Sequence, residues 1–67
     1  MNSNMEAMKA DRHQLLESLR TAEAQLNNLQ RLAMAAEEME LAGKAIMLRD
    51  DILLFIKKIE SIDPAAA

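Results

Sequence analysis

The chain has 67 residues, one domain at most, since domains run to about 100–150 residues. Its apolar half (51%) is Ala, Leu, Met and Ile with one Phe, and Val, Trp, Tyr and Cys are missing. This excludes β and α/β folds, which need β-branched and aromatic residues to fill a pleated face, and also disulfide scaffolds and thiol–metal sites. Eight Lys+Arg against eleven Asp+Glu leave a net charge of −3, which argues against nucleic acid, because phosphate contacts call for a basic stripe.

In chain order, the first signal is a helix start. Ser3 followed by Glu6 has the spacing of a capping box, with Asn4 as the rival cap. An apolar stripe then recurs at steps of three and four: Met5, Met8, Arg12, Leu15, Leu19, Ala22, Leu26, Leu29, Ala33, Ala36. Only Arg12 interrupts it, so the spacing predicts one long helix, about residues 4–39, with a heptad seam.

The seam breaks at Glu40 and Gly43. A second stripe begins in a new phase: Leu41, Ala45, Leu48, Ile52, Phe55, Ile59, Ile62. Gly43 is the natural left-handed residue to end a helix, so a turn is expected at about 40–43 and a second helix at about 44–62. Pro64 stops that helix and disfavours it at Asp63, leaving a disordered tail over 63–67. One continuous helix through Gly43 is the alternative, because an interior Gly costs only about 1 kcal/mol.

The expected fold is therefore an all-α antiparallel two-helix hairpin. The second helix is too apolar for that object alone. Ala45, Leu48, Ile52, Phe55, Ile56, Ile59 and Ile62 make one broad face, widened by Ile46 and Leu53. A hairpin covers one side of such a helix. Ordering 67 residues also costs on the order of 100 kcal/mol, which a core this small rarely offsets without staples or oligomerisation. The simplest closed solution is a two-fold dimer forming a four-helix bundle. Its core and dimer interface are expected from Leu15, Leu19, Leu26, Leu29, Leu48, Ile52, Leu53, Phe55, Ile56 and Ile59.

Site chemistry is sparse. His13 and Glu17 share a helical face, but metal sites usually take three or four ligands. The acidic runs Glu37-Glu38-Glu40 and Asp50-Asp51 read as solvated faces rather than acid–base pairs, since they lie beside a turn or on the polar face of the second helix. A phosphate loop and a nucleophile with a base in a recognisable pattern are both missing. No enzyme activity, metal or cofactor is expected. Arg12 reads either as a snorkelling side chain at an exposed stretch or as a polar register-setter. Met5 and Met8 lie where the longer helix outruns its partner, and methionine suits adaptable binding surfaces. Met47 and Leu54, one heptad apart among charges opposite the core face, are the other candidates for partner binding.

One segment resembles a known family. Ala45-Ile46-Met47-Leu48-Arg49-Asp50-Asp51-Ile52 is similar to the core of the UVR hairpin motif of nucleotide-excision-repair proteins, Ala-x-x-Leu-Arg-Asp-x-Ile on the second helix of a hairpin. The resemblance covers at most residues 34–56, and the motif's Phe-Glu is here Ala42-Gly43. It implies a hairpin that pairs with another hairpin, and it is no evidence for DNA repair.

The longest apolar run, Ile52 to Ile56, is far short of the ~20 residues that span a bilayer. The polar start is no signal peptide. These features point to a cytoplasmic protein without membrane contact. The functional expectation is a small non-enzymatic interaction module, a homodimeric helical regulator or inhibitor that binds itself and an unidentified protein partner. One alternative is an obligate heteromeric subunit or chaperone-like adaptor. The other is a nucleic-acid-binding transcriptional regulator, which the net charge of −3 disfavours.

Overall fold

A computed structural model describes the backbone of residues 2–62 and side chains from Glu6 to Ile62. The helix already includes Ser3 and Asn4, which the sequence places at the cap, because it begins at Asn2; the side chains of Ser3, Asn4 and Met5 and the expected tail lie outside the described residues. Helix α1 spans Asn2–Ala35 and helix α2 spans Met39–Ile62. They pack against each other as an antiparallel hairpin, a rod with extents of 53 × 15 × 13 Å. Its radius of gyration is 15.3 Å, against ~11 Å for a compact domain of this length. Its surface is 5300 Å², against roughly 4200 Å² for a compact monomer of this mass.

The reversal falls at residues 36–38, before the expected 40–43. Ala36 donates to the Leu32 carbonyl (2.9 Å), Glu37 to Met34 (3.1 Å) and Glu38 to Ala33 (2.8 Å). The last two are the paired bonds of a Schellman cap, which satisfy carbonyls left over at the end of α1. The residue this motif places in the left-handed region is Glu37, at φ 62°. Glu38 then starts α2, its carbonyl accepting from the Ala42 amide at 3.0 Å. Glu40 sits in the first turn of α2, where a negative charge is favoured by the helix dipole.

Gly43 is thus not the cap; it is an interior residue of α2 without positive φ. Packing accounts for the difference. Ala33, Ala42 and Ala45 are all buried, and side chains this small let the helices close up directly beside the turn. Reversing at Gly43 would place Ala42 and Ala45 on opposite sides of the bend. The close alanine contact outweighs the ~1 kcal/mol that a non-glycine residue spends in the left-handed region.

Two substitutions follow from this geometry. A Cβ built on Gly43 meets nothing within 4 Å, so Gly43→Ala should stabilise the hairpin by about 0.5–1 kcal/mol. Glu37→Gly should relieve the left-handed strain and be neutral to stabilising by up to about 1 kcal/mol, because glycine also loses more entropy on folding. Urea unfolding at fixed protein concentration checks both. A loss of stability in Gly43→Ala would mean that residue 43 does not sit in an open helical position.

The seam between the helices is narrow. From α1 it takes Arg12, Leu16, Leu19, Glu23, Leu26, Gln30 and Ala33; from α2, Ala42, Ala45, Arg49, Ile52, Ile56 and Ile59, all buried or half-buried. In heptad lettering, α1 has d at 12, 19, 26 and 33 and a at 16, 23 and 30. Helix α2 has a at 42, 49 and 56 and d at 45, 52 and 59. Leu16 (0% exposed) and Ile56 form the centre of the apolar cluster, with Leu19, Ile52 and Ile59 packed against it.

Candidate functional site: the flanks of the seam

One half of the expected α1 stripe lies on the seam and the other half does not. Arg12, Leu19, Leu26 and Ala33 face α2, but their alternating partners are Leu16, Glu23 and Gln30, in place of the exposed Leu15 and Leu29, with Ala22 half-buried at the seam's edge. On α2, Ala45, Ile52 and Ile59 face α1 with Ala42, Arg49 and Ile56, while Leu41, Leu48, Phe55 and Ile62 stay exposed. Both helices are thus rotated slightly, by one neighbouring row, from the wheel read off the sequence.

A polar layer missed by the stripe reading causes much of this rotation. Arg49 donates through Nε to Glu23 Oε1 at 2.7 Å and through a terminal nitrogen to Asn27 Oδ1 at 3.2 Å, with Gln30 Oε1 at 3.5 Å. The Arg49 and Glu23 side chains are only 34% and 25% exposed. A partly buried guanidinium needs several acceptors at once, and Glu23, Asn27 and Gln30 supply them only if α1 turns that edge toward α2. The available signal was an arginine in the middle of an apolar stripe opposite a Glu-x-x-x-Asn-x-x-Gln run. Leu16 was also missed, because Leu15 beside it fits the regular stripe equally well.

The two flanks of the seam differ. Row e carries Arg20 and Glu60, whose charged groups meet at 3.6 Å across the helices. Each of these residues follows a d position, so this contact assigns row e of both helices to the same side of the hairpin. Row g of both helices therefore lies on the other side. That side is apolar along its length: Met8, Leu15, Ala22 and Leu29 on α1, and Leu41, Leu48, Phe55 and Ile62 on α2. Phe55 and Ile62 are 60% exposed and the other large members are about half exposed. Of the expected interface residues, Leu19, Leu26, Ile52, Ile56 and Ile59 are on the intrachain seam. Leu15, Leu29, Leu48 and Phe55 are on the open g side, and Leu53 is on the e side, one heptad beyond Ile46.

The partner candidates are also solvent-facing. Met47 is 69% and Leu54 65% exposed, both in row f, pointing away from α1. Leu54 and Phe55 line a shallow groove with Asp51 and Lys58. Met8 is exposed on the stretch of α1 that outruns α2, since α1 has 34 residues and α2 has 24. Arg12 is half-buried at the open end of the seam. His13 Nε2 lies 3.0 Å from Glu17 Oε1, one helical turn on. Among the described residues no group of three or more His, Cys, Asp or Glu side chains converges as a metal site would require. Among them, too, no helix is long and apolar enough to cross a membrane.

Compared with protein-family models, curated proteins and solved structures, the chain matches none of them. The likeness of residues 45–52 to the UVR core thus stays local.

Proposed function

We propose that this chain is a small non-enzymatic interaction module, a homodimeric helical regulator or inhibitor that holds fixed helix faces against another protein. The observation that carries this reading is the two rows of half-exposed large apolar side chains on one side of the rod. Seven such residues expose several hundred Å² together, at or above the largest apolar patch that typical monomers carry. Apolar surface of that size along a heptad row is what helical assemblies bury. The protein partner is met on a different face, the outward row of Met47 and Leu54, with Met5 and Met8 at the free end of α1 as further contacts. The work is done in the cytoplasm and rests on shape and apolar burial rather than on a cofactor.

Light scattering on a sizing column, over a wide concentration range, tests the first part. A stable species of twice the 7.5 kDa chain mass is expected. For the second part, Leu54→Asp should abolish capture of the partner while leaving helicity and solution mass unchanged. Undiminished capture by a folded variant would remove that patch from the reading. A heteromeric subunit, the competing possibility, would instead remain monomeric or aggregate alone and become well behaved on co-expression with its partner chain.

A further inference from the structure

We infer that the partner on the g side is a second copy of this chain, docked with both turns at the same end of a four-helix bundle, so that α1 of each copy lies against α2 of the other. This rests on the homodimer reading above and adds the face and the arrangement. The argument is one of level and size. A two-fold axis parallel to the helices leaves every residue at its own height, so α1 of one copy meets α2 of the other at the heights already set within the hairpin. That register sets Arg49 beside Glu23, Asn27 and Gln30, and Arg20 beside Glu60.

At those heights Leu15 comes opposite Ile62, Ala22 opposite Phe55, Leu29 opposite Leu48, and Ala36, just past α1, opposite Leu41. The largest side chain of the α2 row thus faces a small one, and the row's first leucine faces another. Alternation of large and small across facing positions is how helical layers interdigitate without voids. The arrangement with turns at opposite ends does the reverse. It sets the bulky α2 row against itself, Phe55 on Leu48 and Leu41 on Ile62, and the thinner α1 row against itself, which forces unequal helix spacing. The e side is unsuited to the same role, because Arg20, Asn27 and Glu60 occupy it and Arg20 is already paired with Glu60.

The chain has no cysteine, so one introduced thiol gives one label per copy. Glu40→Cys, exposed in the first turn of α2, carries a nitroxide, and double electron–electron resonance reads the distance between copies in the full-length protein. Turns at the same end predict about 25–30 Å. Turns at opposite ends predict about 35–40 Å, since residue 40 then lies about 11 to 12 residues from a two-fold axis midway between Leu48 and Phe55, at a rise of about 1.5 Å per residue. Light scattering and circular dichroism on the same labelled sample complete the test. A helical dimer with the short distance supports the inference. A helical dimer with the long distance overturns this arrangement and leaves the homodimer standing. A helical monomer overturns both.

Discussion

Leu16→Ala is expected to be the most damaging single substitution in the chain, costing about 2–5 kcal/mol by the lost transfer free energy plus the cavity left behind. Among the described residues Leu16 is the one large side chain with no exposure, and it sits against Ile56 at the centre of the cluster with Leu19, Ile52 and Ile59. A small domain rarely has more than about 3–5 kcal/mol to lose, so the variant should be largely unfolded, with its far-ultraviolet helical signal reduced at room temperature. Leu15→Ala is the informative comparison. Leu15 is one residue away and half exposed, so its truncation should leave the hairpin folded and weaken only what docks on the g side. Equal loss of helicity in the two variants would mean that α1 is rotated from the position described.

The second large effect concerns the polar layer. Arg49→Met is expected to destabilise by roughly 1–3 kcal/mol, because the Glu23 carboxylate, three-quarters covered, would keep its burial and lose its donor. The figure belongs at the lower end, since a third of the arginine side chain is open to water and its charge is screened there. Glu23→Leu combined with Arg49→Leu should recover that loss and reach neutral or better, because an apolar pair avoids the desolvation of two charges. The double variant should nevertheless lose definition. With an unbroken apolar seam, nothing polar specifies how α1 slides along α2. Urea unfolding at one protein concentration, analysed as a double-mutant cycle, gives the coupling, and the dispersion of amide resonances reports whether one register survives. Purely additive effects together with a single sharp spectrum would mean that the layer neither couples the helices nor sets their register.

Much of the architecture is legible in the sequence. An Ala/Leu/Met-rich chain without Val, Tyr or Trp could build only helices, and Glu40 and Gly43 in place of apolar residues announced the end of the first seam. The turn lies a few residues before Gly43, although glycine is the best left-handed residue in isolation, because the fold places Glu37 in that region and buries Ala33, Ala42 and Ala45 on either side of the reversal. Local preference differs by about 1 kcal/mol between such choices, which close packing next to a turn easily outweighs.

Helix content, the existence of a break and an excess of apolar surface on the second helix all follow from composition and period, since both act residue by residue. The choice between Leu15 and Leu16 does not. Each satisfies a seven-residue repeat, so the stripe is degenerate by one row until a partner helix is present. Arg49 removed that degeneracy in the folded chain: its acceptors Glu23, Asn27 and Gln30 are 19 to 26 residues away, and meeting them rotated both helices and left Leu15, Leu29, Leu48 and Phe55 on the open side. A preference between near-equal faces is decided by non-local hydrogen bonds, and those exist only once the chain has folded back on itself.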